Sequence, residues 1–291
     1  MLRLSAGASE TSPRMETVAV VGVGLIGASF GLALRRAGFA GRIIGVSSPP
    51  AIQAGLSRGA ISEAATLEQA AQCADLIYLA QPIDRLVHTL ELLGPMARAD
   101  CVISDAGSTK AAIVEKACEC LPADVFLGGH PLAGKEQRGA ESAEDTLFRQ
   151  RPYVLTPVGT MTAAMHEFKN WLLRMEARVF IMSAAEHDAV VALTSHLPQL
   201  LSTSLSITLA NSGNPKLLQV FGPGLIDMTR LAMSSPDVWN GILETNRDQI
   251  LRALDAFTTV LENLASRIEA GLSTEDLFAV GRNLALIVRK S

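Results

Sequence analysis

The chain has 291 residues, which is enough for two domains that each bury a hydrophobic core. Its composition, 48% hydrophobic and 19% charged, is that of an ordinary globular enzyme and excludes a disordered or fibrous protein. The net charge is -4 and no block of basic residues offsets it, so we expect no binding to nucleic acid and none to a membrane surface.

The cysteines and the first residues carry no metal or targeting pattern. Cys73, Cys101, Cys118 and Cys120 form no CxxC pair and have no histidine at zinc-binding spacing, so we predict thiols in a reducing compartment, the cytoplasm, and no metal site. Residues 1–14 are rich in Ser, Gly and Ala, which predicts a disordered lead-in and no signal peptide. No apolar run is long enough to span a bilayer.

The stretch that organises the first half of the chain is TVAVVGVGLIG, residues 17–27. Its β-branched run predicts a buried parallel strand, and a helical pattern follows it immediately. In GxGxxG, the first glycine makes a tight turn, the second lets the backbone approach a pyrophosphate, and the third lets the helix pack on the strand. We therefore predict a dinucleotide at the N-terminus of this helix, with contacts from Gly22, Gly24, Leu25, Ile26 and Gly27.

The second strand is expected at 42–46, RIIGV, and Ser47 and Ser48 follow it. About twenty residues after the glycine pattern, NAD-binding proteins of this type carry an Asp or Glu that holds the ribose 2'-hydroxyl. A carboxylate there would repel a 2'-phosphate, whereas two hydroxyls do not. We therefore predict that both serines contact the cofactor and that NADP is preferred over NAD, although no arginine adjoins them.

Strand and helix patterns continue to alternate up to residue 182. We predict helices at 28–37, 50–59, 67–73, 84–98, 109–121 and 163–175, and strands at 75–80, 101–105, 125–128, 151–156 and 178–182. The strand at 75–80 ends on Gln81 and Pro82, at the carboxyl edge where such sheets bind ligands, so both residues are candidate cofactor contacts. The alternation predicts an α/β fold with a Rossmann-like, doubly wound and mainly parallel sheet.

The pattern changes after Ser183. Residues 187–210 and 241–271 are long helical stretches, and no strand pattern returns. We therefore predict a dinucleotide-binding domain at 15–182 and an all-helical domain for dimerisation and substrate binding at 183–291. The apolar content of the second domain is high for a domain standing alone, which favours a homodimer, the commonest oligomer.

Two residues at strand ends are candidates for chemistry. His130 follows a predicted strand through Gly128 and Gly129, which places an imidazole at the edge where the nicotinamide would lie. Histidine is the side chain best suited to take a proton near neutral pH. Ser108, in DAGSTK, could bond a ligand or the imidazole, or it could cap the following helix; the spacing leaves both interpretations open.

The helical part offers further candidates. His187 and His196 lie where this part begins, and His196, next to Ser195 and close to a proline, is the better candidate for a pocket residue. Arg230 follows Asp227 by one helical turn. A guanidinium can bind a carboxylate through two parallel hydrogen bonds, so Arg230 could anchor an anionic substrate; a surface ion pair with Asp227 is the alternative.

Seven segments, in this order and at these spacings, resemble the prephenate/arogenate dehydrogenases of tyrosine biosynthesis. They are TVAVVGVGLIGASFGLALRRAG, DAGSTK, GGHPLAGKEQRGAES, RPYVLTP, AAEHD, SHLPQ and DMTRLAMSSPDVWNGILETN. GGHPLAG and the segment from DMTR to SSPDVW are specific to that family, whereas GxGxxG is not. The resemblance implies a nucleotide-binding domain followed by a helical dimerisation domain, and a prephenate or arogenate substrate.

The same resemblance implies roles for individual side chains. His130 looks like the catalytic histidine of the family, Ser108 like its partner serine, and Arg230 like the arginine that binds the substrate carboxylate. The other matches are His196 and Ser195 as pocket residues, with Glu136 and Asp227 as acids networked with that arginine at the pocket entrance.

One position departs from the family pattern. Many members read SHLPH where this chain reads SHLPQ, so Gln199 stands where the family has a histidine near the substrate. Gln199 is therefore a candidate substrate contact. The choice between the keto group of prephenate and the amino acid side chain of arogenate stays open for this reason.

The combined prediction is a prephenate dehydrogenase that transfers a hydride to NAD(P). The first alternative is an arogenate or dual-specificity cyclohexadienyl dehydrogenase with the same residues. A non-catalytic NAD(P)-binding regulator is a further alternative, but it would need none of His130, Ser108 and Arg230. A β-hydroxy acid dehydrogenase would be expected to carry a catalytic lysine in the helical domain, and no clear candidate is present, since Lys216 follows Asn214 and Pro215 in a predicted loop.

Overall fold

A computed structural model of the protein describes residues 15–135 and 137–290. The predicted lead-in at 1–14 and the candidate Glu136 lie outside the described residues. Strands and helices alternate up to Ile181. From Ala184 onward, all secondary-structure elements of the described residues are helices. The predicted fold class, a mainly parallel α/β sheet followed by a helical part, is confirmed.

The sheet contains eight strands over the described residues. They are β1 (Thr17–Val21), β2 (Arg42–Val46), β3 (Glu63–Ala64), β4 (Leu76–Leu79), β5 (Val102–Asp105), β6 (Phe126–Pro131), β7 (Pro152–Pro157) and β8 (Arg178–Ile181). Their order is β3-β2-β1-β4-β5-β6-β7-β8, and all neighbours are parallel except β6 and β7. The order reverses between β1 and β4, and crevices at such a reversal bind ligands in doubly wound folds.

Helices cover both faces of the sheet and make up the secondary structure that follows β8 in the described residues. They are α1 (Leu25–Arg36), α2 (Pro49–Ser57), α3 (Leu67–Cys73), α4 (Ile83–Leu93), α5 (Ala111–Cys120), α6 (Ala163–Arg174), α7 (Ala184–Val191), α8 (Leu197–Asn211), α9 (Pro223–Thr229), α10 (Pro236–Thr245), α11 (Arg247–Glu269) and α12 (Glu275–Val288). A π-helical segment, Ala192–His196, joins α7 to α8, and a short 3-10 segment, Arg230–Met233, follows α9.

Two hydrophobic clusters, one on each face, hold the helices on the sheet. On the first face Phe30 of α1 stacks on Tyr78 of β4 with ring centroids 3.8 Å apart, and Phe168 of α6 meets Phe30 edge to face. The second cluster contains side chains of α3, α4 and α5 together with Ile242 and Ile250 of the helical part. The helical part therefore shares a core with the sheet, which fixes its position over the carboxyl edge.

Several element ends differ from the sequence prediction. The helix expected at 84–98 ends at Leu93, where a turn begins in which the N–H groups of Met96 and Ala97 donate to the Leu93 carbonyl oxygen. The stretch at 187–210 contains the π-helical segment just before Pro198, whose ring removes a backbone donor. The stretch at 241–271 breaks at Asn246. The two-residue β3 is too short to produce a pattern.

The C-terminal helices leave apolar side chains exposed in the single chain. Phe278, Val280 and Leu284 of α12 are 70%, 71% and 63% exposed. A surface of this kind marks an interaction face. None of the described helices combines the length and apolar character that a membrane-spanning helix needs.

Candidate active site

The turn after β1 is built by three glycines with different constraints. Gly22 has a φ of +94°, which favours glycine, and a Cβ there would lie 2.6 Å from the Ala80 carbonyl oxygen. A Cβ on Gly27 would overlap the carbonyl oxygen of Gly22. By contrast, a Cβ on Gly24 would meet no atom within 4 Å. The fold itself requires Gly22 and Gly27, whereas the open space at Gly24 fits a pyrophosphate beside the uncapped N-terminus of α1.

This contrast gives a matched pair of variants. Gly27→Ala should lower the free energy of unfolding by about 1–3 kcal/mol, because the new methyl group meets backbone. Gly24→Ala should change it by less than about 1 kcal/mol but raise the cofactor Kd by roughly tenfold or more. Denaturant unfolding and titration calorimetry measure the two quantities. Equal cofactor affinity of Gly24→Ala and wild type would contradict a pyrophosphate at this turn.

The other predicted cofactor contacts also lie at the carboxyl edge. Ser47 and Ser48 are exposed beyond β2, and Ser48 is the N-cap residue of α2. Pro49 and Pro50 occupy the first turn of that helix, so they offer no N–H to a ligand. At the end of β4, Gln81 accepts a hydrogen bond from Thr89 Oγ1 at 2.8 Å. These residues therefore lie at the same edge of the sheet as the glycine turn.

His130 lies near the end of β6, past the last residue of β6 that pairs with β5. The two glycines before it allow this path, since a Cβ on Gly129 would lie 2.5 Å from the Asp105 carbonyl oxygen. The imidazole is 8% exposed, and its Nδ1 lies 2.7 Å from Nε2 of His187. Burial is the main cause that lowers the pKa of His130 well below the ordinary histidine value, and His187, Lys110 and His196 lower it further.

Ser108 is half-buried in the loop between β5 and α5. The structure does not support the capping interpretation, because the N-cap residue of α5 is Lys110, and the Lys110 side chain makes no capping hydrogen bond. The carboxylate of Asp188 does this instead, accepting hydrogen bonds from the N–H groups of Lys110 at 2.7 Å and Ala111 at 2.8 Å. The Ser108 hydroxyl is therefore not needed to cap the helix.

A buried ion pair lies under this loop and was not found by sequence reasoning. Lys110 and Asp105 are both fully buried and in contact. Asp105 also accepts hydrogen bonds from the N–H groups of Gly107 at 2.8 Å and Gly129 at 2.9 Å. Burial lowers the pKa of Lys110, and Asp105 opposes that effect. The pair ties the loop of Ser108 to the strand of His130.

The helical part brings two histidines to the same place. His187, the less favoured candidate of the sequence analysis, is fully buried against His130, and its Nδ1 lies 2.7 Å from Oδ1 of Asp188. His196, at the end of the π-helical segment, is also buried. Burial lowers the pKa of His196 to about 4. Asn246 links His196 to the backbone next to His187. Its Nδ2 donates to the Asp188 carbonyl oxygen at 2.9 Å and lies 3.2 Å from Nδ1 of His196.

The predicted substrate contacts on the helical part form a second group. Gln199 is buried, and its amide donates to the Leu231 carbonyl oxygen at 2.8 Å, which fixes the backbone beside Arg230. Arg230 and Asp227 are exposed in the single chain, and Ser195 is half-buried next to His196. The structure thus joins His130 to the helical part through His187 and places Arg230 on a neighbouring exposed segment.

Sequence reasoning missed Asp188, Asn246, Lys110 and Asp105. Each is buried and polar, yet none stands in a pattern that distinguishes it from a surface residue. The adjacency of His187 and Asp188 was the one local signal, and it needed the position of His130 to be interpreted. Among the described residues no group of three or more His, Cys, Asp or Glu side chains is arranged to hold a metal ion.

Two family models cover most of the chain. The model for the prephenate dehydrogenase nucleotide-binding domain matches residues 30–181, and that for the prephenate dehydrogenase dimerization domain matches residues 183–280. Among curated proteins, prephenate dehydrogenase of Bacillus subtilis is 33% identical over 270 residues, which are 90% of this chain and 72% of that protein.

Solved structures give the same result. Prephenate dehydrogenase of Aquifex aeolicus, in complex with hydroxyphenyl propionate and NAD+, superposes with a TM-score of 0.87 at 29% identity, covering 97% of this chain and 100% of that one. Arogenate dehydrogenase of Synechocystis superposes with a TM-score of 0.80 at 30% identity, covering 94% and 99%. With both family models matched over most of its length and a relative 33% identical, the chain belongs to the prephenate dehydrogenase family.

Proposed function

We propose that the protein catalyses the oxidative decarboxylation of prephenate to 4-hydroxyphenylpyruvate with a nicotinamide cofactor. The observation that carries this proposal is the placement of His130. Its ring lies at the edge of the sheet that also carries the glycine turn, and Nδ1 is engaged by His187, which leaves Nε2 for a ligand. The family membership supports the same reaction.

In the proposed mechanism, Nε2 of His130 accepts the proton of the substrate 4-hydroxyl. The nicotinamide, when bound, supplies the acceptor for the hydride that leaves the same carbon. The ring carboxylate then departs as carbon dioxide, its bonding electrons complete the aromatic ring, and the product oxygen takes the proton back from His130. Ser108 holds the imidazole and the hydroxyl in register, and such positioning can lower a barrier by several kcal/mol.

Substrate binding is assigned to the helical part. Arg230 binds a substrate carboxylate, with Asp227 and Glu136 as the acids that orient it, and His196, Ser195 and Gln199 line the pocket. Gly22, Gly24, Leu25, Ile26, Gly27, Ser47, Ser48, Gln81 and Pro82 bind the cofactor. The boundary between the two domains is proposed near Ser183, between β8 and α7, and the exposed apolar helices are covered in a homodimer, as the dimerization family model supports.

The direct test is a spectrophotometric assay of prephenate and of arogenate, each with NAD and with NADP. We expect reduction of the cofactor with prephenate, together with release of carbon dioxide. Absence of turnover with every combination, in protein that binds the cofactor, would favour the non-catalytic regulator instead.

The arogenate alternative is favoured by one specific observation. Gln199 presents a neutral amide that already donates to the Leu231 carbonyl oxygen, where many family members carry a histidine. The similarity to the Synechocystis arogenate dehydrogenase fits this alternative. A higher kcat/KM with arogenate than with prephenate in the same assay would establish it.

The cofactor preference follows from the edge beyond β2. Ser47 and Ser48 are exposed there and carry no charge, so they do not repel a 2'-phosphate. We expect a higher kcat/KM with NADP than with NAD. Ser48→Asp should lower kcat/KM with NADP by more than about tenfold, a loss of about 1.4 kcal/mol, while the value with NAD stays nearly constant. Ser57→Asp, at the other end of α2, is the matched control. A wild-type enzyme that uses NAD far more efficiently than NADP would overturn the preference.

A further inference from the structure

Three buried side chains form a hydrogen-bonded chain across the two domains. Oδ1 of Asp188 lies 2.7 Å from Nδ1 of His187, and Nε2 of His187 lies 2.7 Å from Nδ1 of His130. All three are less than a tenth exposed. Each of the two contacts requires one hydrogen, and the identity of each donor decides where the protons of the two imidazoles sit.

The carboxylate end determines the direction of this chain. An ionised carboxylate only accepts hydrogen bonds, so Nδ1 of His187 must carry the hydrogen. In a neutral His187 the other nitrogen, Nε2, then has a free lone pair and can only accept. The hydrogen of the second contact must therefore sit on Nδ1 of His130, which leaves Nε2 of His130 unprotonated.

We propose that Asp188 and His187 are positioning residues that hold His130 in the tautomer with its proton on Nδ1, so that Nε2 is free to act as the base. The inference rests on the proposed function for its consequence, because a base that accepts the substrate hydroxyl proton needs a lone pair on the nitrogen that faces the substrate.

Two further observations support this role: the carboxylate of Asp188 is held in place, and the ring of His130 is neutral. Its carboxylate also accepts the backbone N–H groups of Lys110 and Ala111, so its position is set by the N-terminus of α5 and not by rotation of a free side chain. The lowered pKa of His130 agrees with a neutral ring whose single proton must be placed on one nitrogen or the other. The hydrogen-bonded series therefore links the loop of Ser108, the helix of His187 and the strand of His130.

The consequence for the reaction is a matter of proton placement only. The hydroxyl proton of the substrate moves to Nε2 of His130 as the hydride leaves, which makes the ring cationic with a proton on each nitrogen. Nδ1 keeps its hydrogen bond to His187, and Asp188 faces the resulting positive charge across His187. When the product oxygen takes the proton from Nε2, the original tautomer is restored without any movement of the ring.

The first experiment measures the tautomer directly in the wild-type protein. Nitrogen-15 labelling of histidine and long-range proton–nitrogen NMR distinguish a protonated Nδ1 from a protonated Nε2, and comparison with His130→Asn assigns the signal. We expect the proton of His130 on Nδ1 in the protein without substrate. A proton on Nε2, which a cationic His187 would produce, overturns the proposal.

Variants then separate positioning from folding. In Asp188→Ala, Nδ1 of His187 loses its acceptor and Nε2 of His187 can carry the hydrogen instead, so we expect the His130 proton to shift toward Nε2 and kcat to fall by roughly tenfold or more with little change in KM. In His187→Gln the amide oxygen can still accept from His130, so the tautomer should persist and kcat should fall less than in His187→Leu. His166→Gln, on the exposed side of α6, is the control.

Each result has a clear meaning. Unchanged His130 tautomer and unchanged kcat in Asp188→Ala, with only a lower Tm, would show that Asp188 serves the fold alone and would overturn the proposal. The NMR measurement uses no substrate, so it separates this inference from the proposed function. The predicted tautomer without turnover would contradict the function only, whereas turnover with the opposite tautomer would contradict the inference only.

Discussion

Replacing His130 with asparagine is expected to lower kcat by roughly a hundredfold or more while cofactor binding is kept. The asparagine amide can take the place of Nδ1 and still donate to His187, so the packing of the ring site should survive. It has no group at the place of Nε2, and the base is lost. A hundredfold loss corresponds to about 2.7 kcal/mol of transition-state stabilisation.

The measurements are steady-state rates and cofactor titration on the same preparation. His88→Asn, on the exposed face of α4, is the control, because that ring is exposed and its Nδ1 lies 3.5 Å from Oε2 of Glu91, a surface residue. Near-wild-type turnover of His130→Asn would remove His130 from the mechanism. Loss of cofactor binding together with turnover would show instead that the substitution disturbs the sheet edge.

The pH dependence of wild-type kcat/KM also reports on the protonation of His130. The base must be neutral, and the pKa of His130 is lowered from its ordinary value of 6.5. We therefore expect kcat/KM to stay level as the pH falls through that value and to decline only at lower pH. The unfolded chain binds protons on His130 and His196 more tightly than the folded chain does, so the free energy of unfolding should also fall below this pH.

Replacing Lys110 with methionine is expected to lower the free energy of unfolding by about 3–5 kcal/mol. The side chain of Asp105 is fully buried, and without the ammonium group its charge would keep only the hydrogen bonds from Gly107 and Gly129. Because the second of these N–H groups precedes His130, activity should fall as well. Urea unfolding followed by circular dichroism measures the effect.

The double variant Lys110→Met with Asp105→Asn distinguishes an unpaired charge from lost packing. Removing both charges should recover part of the stability, since a single buried charge is costly. The recovery is incomplete because the new amide can accept only one of the two backbone N–H bonds that the carboxylate accepts. Lys116→Met, which removes a half-buried lysine of α5 paired with Glu119, should cost far less than Lys110→Met. A loss in Lys110→Met no larger than in this control would show that the buried pair contributes little.

The fold could be predicted in most of its elements because its signals are local. The glycine spacing at 22–27 and the β-branched strands each depend on neighbours in sequence, and both appear where they were expected. The ends of several helices do not follow from the sequence pattern. The break at Asn246 coincides with a contact to a distant residue, the bond from Nδ2 of Asn246 to the Asp188 carbonyl oxygen.

The predicted site residues come together in part. Residues at strand ends were identified because the carboxyl ends of parallel strands share one edge, and His130 lies there. Ser108 could be placed at the edge but not distinguished from a helix cap. The cap turned out to be Asp188, a residue 78 positions from Lys110 in the chain, and no spacing rule connects positions so far apart.

By itself, the sequence determined the alternating strands and helices, the dinucleotide turn and the position of one histidine at the sheet edge, because each depends on the order of apolar residues and glycines over a short span. Only the tertiary structure decided which groups face that histidine. The contact between His130 and His187 and the hydrogen bonds that Asp188 accepts from the N-terminus of α5 join the sheet to the helical part. Their geometry arises from packing of the helical part on the sheet, which a linear pattern does not contain.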